Sequence, residues 1–117
     1  MAYDDEYSGV AMTLREGERL AHLMKGKPIV FLRNHGVLVT GDSVAQAYHR
    51  LYRLERICRT QMLALATGKQ LQIIGQDYLA QLGTAGEHER HPRELWQRLF
   101  FRAMMRVLDR DLPGYAD

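Results

Sequence analysis

The sequence predicts an α/β chain, in which a short hairpin of strands is set among amphipathic helices. Three observations carry this. Ile29-Val-Phe-Leu32 and Val37-Leu-Val39 are β-branched and apolar runs, separated by Arg33-Asn-His-Gly36 and closed by Thr40-Gly41. Runs of that kind bounded by turn formers read as two strands of a hairpin. Thr13-Leu-Arg-Glu16 and Ser43-Val-Ala-Gln46 each have capping-box spacing and mark two helix starts. The strands are apolar at nearly every position, which asks for cover on both of their faces.

Composition sets the outer limits. The chain has 117 residues, 46% hydrophobic and 26% charged, as one globular domain or part of one would. A net charge of +2 is too small to argue for nucleic acid. Cys58 is the single cysteine, which excludes an internal disulfide and fits a reducing compartment. No apolar run approaches the ~20 residues of a membrane span. The acidic start Met1-Ala-Tyr-Asp-Asp-Glu6 has no signal-peptide core. The expectation is a soluble, cytoplasmic protein with neither a membrane nor a nucleic-acid partner.

Taken in order, residues 1–12 read as a solvated start, with Asp4, Asp5 and Glu6 in water and Val10 to Met12 as a short extended segment. Thr13 caps a helix that runs to about Met24, with Leu20, Leu23 and Met24 on one side. Lys25-Gly26 and Pro28 stop it. His22 on this helix has no second ligand-type residue near it on that face, and reads as an exposed histidine. Pro28 then opens the first strand. Asn34 and Gly36 supply permissive backbone between the strands. His35 therefore stands where the hairpin reverses, or at the start of its second strand.

Ser43 starts the longest helix, from about Val44 to Thr67, with Gly68 as its C-terminal stop. Val44, Tyr48, Leu51, Cys58, Met62 and Leu65 recur as one buried stripe would. Glu55 interrupts that stripe. A carboxylate there must be paired, hydrogen-bonded or protonated. A buried ion pair, with Arg33 as one partner to consider, is the structural reading, and a general acid/base is the sharper one. Arg50, Arg53 and Arg56 lie on the other side, and Arg59 completes a run of four arginines along the helix. With no aromatic stacking platform interleaved, they read as a solvated or subunit-facing surface.

Residues 69–91 are less regular, with a short helix over Gln76 to Leu82. Gly83, Gly86 and Glu87-His-Glu-Arg-His91 read as an exposed loop. His88 and His91 are one residue short of the His-Glu-x-x-His spacing that aims two rings at zinc from a helix. Flanking glycines and Pro92 make a metal site there unexpected. Pro92 suits the first turn of a last helix, whose Leu95, Trp96, Leu99, Phe100, Ala103, Met104, Val107 and Leu108 form a wide apolar face. There is no internal repeat and no phosphate-binding glycine loop.

Leu32-Arg-Asn-His-Gly-Val-Leu-Val-Thr-Gly41 belongs with the helix carrying Ala47-Tyr48, Leu51-Tyr52, Leu54-Glu-Arg56, Cys58 and Gln61. Together they resemble the class II aldolase/adducin family, from about Tyr7 through Gly17-Glu-Arg-Leu20 to Leu108-Asp-Arg110. The resemblance implies a three-layer α/β/α domain with a central, largely antiparallel sheet. These 117 residues would be its C-terminal portion, a partial domain of one hairpin plus three to four helices. It also implies that the histidine of Asn34-His35-Gly36 binds a divalent metal, usually zinc. The family supplies two further ligands from an upstream His-x-His and an acidic residue as base. This sequence holds no His-x-His, so His35 alone is carried over as a metal ligand, and no catalytic residue can be named.

In the complete domain the metal would polarise a carbonyl or hydroxyl-ketone oxygen of a small (phospho)sugar or hydroxy-carbonyl substrate. Aldol cleavage, decarboxylation, dehydration and epimerisation all occur in the family. The expectation is a part of a zinc-dependent lyase, inactive alone. It would work as a homo-oligomer or as the complement of a missing N-terminal half. The alternative is a non-catalytic, adducin-like domain that serves assembly or cytoskeletal binding.

Overall fold

A computed structural model of the chain describes residues 1–6, 13–85 and 93–115, with side chains left aside at 82–85. Its elements are β1 (Ala2–Asp4), α1 (Leu14–Leu23), β2 (Ile29–Leu32), β3 (Gly36–Val39), α2 (Val44–Ala66), α3 (Gln76–Ala85) and α4 (Arg93–Asp111). They fall into two compact units, Met1–Ala47 and Tyr48–Asp117. The α/β class is as expected. The sheet is mixed, however, in the order β1-β2-β3, with β1 parallel and β3 antiparallel to β2.

In the first unit, β1, α1 and β2 form a βαβ connection. Parallel neighbours cannot be joined by a tight turn, and α1 supplies the crossover. The register pairs Ala2 with Val30 and Asp4 with Leu32, so these four residues share one face of the sheet. Val30 is fully buried there, with Ala2 and α1's Leu20 buried as well. Tyr3 and Phe31 stack on the other face with centroids 5.4 Å apart, and Tyr3 stays 63% exposed. Cover is therefore close on one face and open on the other within this unit.

β1 corrects the reading of the N-terminus as a solvated start. Its three residues give too short a run to register as a strand by periodicity, and pairing with β2 is what defines it. Asp4 is only 3% exposed. The expected extended segment at Val10–Met12 lies outside the described residues.

Both capping boxes are present in part. Thr13 accepts from the Glu16 amide at 3.2 Å, but the Glu16 carboxylate turns to Arg19 instead of reaching back. Ser43 accepts from the Gln46 amide at 3.2 Å, and the Gln46 side chain accepts from Asp42 N–H at 2.7 Å. Gly41 makes this second start possible. A Cβ at that position would lie 2.8 Å from the Ala47 backbone nitrogen and 2.9 Å from Gln46 Oε1. Gly41→Ala is expected to loosen the first turn of α2 and cost about 1 kcal/mol, read as a lower denaturation midpoint. A midpoint equal to the parent's would show that the turn absorbs the methyl group freely.

In the second unit, α2 ends where Gly68 turns to φ +66° and its amide donates to Leu65 C=O at 3.1 Å. Tyr48 and Tyr52 of α2 pack on Phe100 of α4, and Tyr48 also meets Phe101 edge-on at 5.6 Å. Most of the rest of the expected buried stripe is open, with Cys58 half-buried. No residue of α2 is buried, and Val44, Leu51, Met62 and Leu65 are 43–74% exposed. Glu55 is exposed too, and carries no ion pair with another described residue. The buried, paired Glu55 is thus overturned. Periodicity identifies the apolar side of a helix, but burial depends on what packs against it. α3 extends through Gly83, which was expected in a loop. His88, His91 and Pro92 lie outside the described residues. No helix among the described residues is long and apolar enough to cross a membrane.

Candidate functional site

The hairpin turn is built by its backbone. Leu32 pairs with Gly36 at the end of the ladder, leaving Arg33, Asn34 and His35 as the turn. The His35 amide donates to Leu32 C=O at 3.1 Å, which closes the reversal. Asn34 has φ +56°, the left-handed conformation that a turn needs at its third position and that asparagine tolerates. At the far end, the Thr40 amide donates to Pro28 C=O at 2.9 Å and fixes the register. The His35 side chain is presented exposed, at a position set by the ladder on either side.

The turn is also tied to β1. Arg33 N–H donates to Asp4 C=O at 3.0 Å, and the Arg33 guanidinium reaches Asp5 C=O at 3.3 Å. Below it, Asp4 Oδ1 and Oδ2 take both ends of the Arg19 guanidinium at 2.9 and 2.6 Å. Arg19 also holds Glu16, at 2.9 and 2.7 Å. The charge-assisted bonds from Arg19 hold both carboxyls below their ordinary values, and burial of Asp4 opposes this without reversing it. The Arg19 pKa is raised by the same bonds, first to Glu16 and then to Asp4. The triad anchors α1 to the strand beside the hairpin. Its sequence signal was limited to an i,i+3 pair, Glu16 and Arg19, because Asp4 joins from fifteen residues away.

No group of three or more His, Cys, Asp or Glu side chains that could hold a metal is found among the described residues. His22 stands exposed in the last turn of α1, and His49 lies in the second unit. The described residues therefore offer His35 as a single imidazole donor and do not by themselves make a zinc site, which takes three protein ligands or more.

A family model described as the class II aldolase and adducin N-terminal domain matches residues 1–62. A Caulobacter vibrioides protein assigned by name to aldolase class 2 is 34% identical over 122 residues, covering 100% of this chain and 44% of the relative. A crystal structure of an aldolase II superfamily protein from Pseudomonas syringae superposes with a TM-score of 0.80 at 31% identity. That match covers 99% of this chain and 45% of the other. Human β-adducin is 41% identical over 39 residues, 33% of this chain and 5% of β-adducin. The chain thus spans less than half the length of the aldolase-type proteins it matches.

Proposed function

This chain belongs to the class II aldolase and adducin family, and on that premise we propose that it is part of a metal-dependent, aldolase-type lyase in which His35 is one metal ligand. The substrate class is a small (phospho)sugar or hydroxy-carbonyl compound. Residues 1–117 correspond, in this reading, to the C-terminal portion of the family's domain. The observation that carries it is the Asn34-His35-Gly36 turn, which presents an exposed imidazole at a backbone position fixed by strands on both sides.

The metal when bound supplies electrophilic polarisation of a substrate oxygen. The chain's own contribution is to hold one imidazole still, because a ligand on a closed hairpin loses little freedom on binding. No catalytic base is assigned to any of these residues. The lyase is read as cytoplasmic and homo-oligomeric, or assembled from this chain and a complementary segment. In this reading the 117 residues alone are inactive, since a catalytic zinc takes three protein ligands and His35 is the one carried over. The test is aldol cleavage of small phosphorylated ketoses. It is run with the 117 residues alone and with them joined to the His-x-His-bearing segment of a family member. Activity only in the joined chain is expected. Cleavage by the 117 residues alone overturns the proposal.

The β-adducin match favours a second reading, a non-catalytic domain serving assembly or cytoskeletal binding. A joined chain that folds and binds neither zinc nor substrate would favour it.

A further inference from the structure

The His35 turn projects past the ladder that carries it. The last β2–β3 pair is Leu32 with Gly36, and beyond it the His35 amide closes the reversal on Leu32 C=O. A two-stranded tip is the part of a sheet most able to twist out of plane. β1 catches this one from the side. Its parallel pairing with β2 ends at Asp4 and Leu32, and Arg33 N–H donates to Asp4 C=O at 3.0 Å just beyond that pair. The Arg33 guanidinium adds a bond to Asp5 C=O at 3.3 Å.

β1 is by itself a weak support, with three residues and β2 as its neighbour in the described sheet. Short edge elements open locally at low cost. Asp4 removes that weakness. Its carbonyl lies in the plane of the sheet and meets the turn, whereas its side chain leaves the plane towards α1. There the carboxylate, 2% exposed, takes both ends of the Arg19 guanidinium at 2.9 and 2.6 Å. Glu16 holds Arg19 from the same helix. A fork that takes both carboxylate oxygens fixes direction as well as distance, which a lysine does not.

We propose that Asp4 and Arg19 are positioning residues for the His35 turn. Their clamp keeps the end of β1 closed, and the closed end of β1 fixes the backbone from Arg33 to His35. The effect passes through main chain and does not depend on what the imidazole contacts. Its bearing on function rests on the metal-ligand reading of His35, since a ligand must be held within about 0.5 Å of its working place.

Amide hydrogen exchange, followed by NMR on the 117-residue chain without metal, tests the positioning. The Arg33 and His35 amides report on the turn. The Thr40 amide, which donates to Pro28 C=O at 2.9 Å, reports on the opposite end of the same hairpin. Arg19→Met should lower protection at Arg33 and His35 about tenfold relative to Thr40, the loss of roughly one charge-assisted bond. Arg19→Lys should do so to a smaller degree, and carries the test should Arg19→Met not fold. Leu20→Ala, which empties a buried position on α1, should lower all three together and leave their ratio unchanged. An unchanged ratio in the Arg19 variants would overturn the proposal, as would the same shift in Leu20→Ala. In the chain joined to a His-x-His-bearing family segment, Arg19→Lys should weaken zinc binding about tenfold, the loss usual for a residue that supports a ligand. A shifted exchange ratio with unchanged zinc affinity would overturn the role in metal binding. If His35→Ala leaves zinc affinity unchanged, the ligand reading fails, and the exchange ratio still decides the positioning.

Discussion

Asp4→Ala is expected to destabilise the protein by about 1–3 kcal/mol, the cost of losing a buried charge-assisted bond. Arg19→Met is expected to cost more. Asp4 has its carboxylate buried, whereas the Arg19 side chain is 33% exposed and keeps Glu16 as a second partner. Removing Asp4 therefore leaves a guanidinium that is still paired and hydrated. Removing Arg19 leaves a charged carboxylate with no counter-charge in a site that water barely reaches. Equilibrium urea unfolding of the two variants checks the order. Equal losses, or a larger loss for Asp4→Ala, would mean that the pair is governed by the exposed Arg19–Glu16 contact.

The same pair sets an acid limb. Arg19 holds Asp4 below its ordinary value of 3.8, so the unfolded chain takes up the proton first as pH falls. The stability from this group is complete above about 3.8, and is lost as pH drops through the lower, folded-state value. The Asp4→Ala protein should show a shallower loss of stability in that window than the parent. An identical pH profile would remove Asp4 from the account.

These residues also show what a sequence can and cannot disclose. The hairpin was legible because each of its signals is local: β-branched runs, Pro28 before them, and Asn34 at a position with positive φ. The starts of α1 and α2 were legible for the same reason, since a cap and its amide are three residues apart. β1 was not, because a three-residue strand is defined by its partner, and its partner Val30 is 28 residues further along. Nothing local marks Asp4 as a buried acid, because its counter-ion Arg19 sits on another element. Glu55 failed in the opposite sense. The stripe through it is real as a pattern, yet the described residues leave most of that face exposed. His35 was singled out by residue type, turn position and the motif around it, and the structure gives it a fixed backbone. A ligand set is a different matter, since it depends on which side chains meet in space, and the described residues bring no such group together.

Zinc affinity is where the largest effect is expected. One neutral imidazole is too few donors for a durable site, which takes three protein ligands. The 117 residues alone should bind zinc weakly and without fixed stoichiometry. Joined to a family segment that brings a His-x-His pair, they should bind one zinc tightly. His35→Ala in the joined chain should then lower affinity by more than about 100-fold, beyond the loss usual for a residue that only supports a ligand. His22→Ala, on α1, should change nothing.

The most direct test of the assignment is therefore a zinc titration of the joined chain with and without His35. Stoichiometric binding that collapses in His35→Ala, while circular dichroism stays unchanged, is the predicted result. Zinc affinity that is the same in both proteins would contradict the role given to His35.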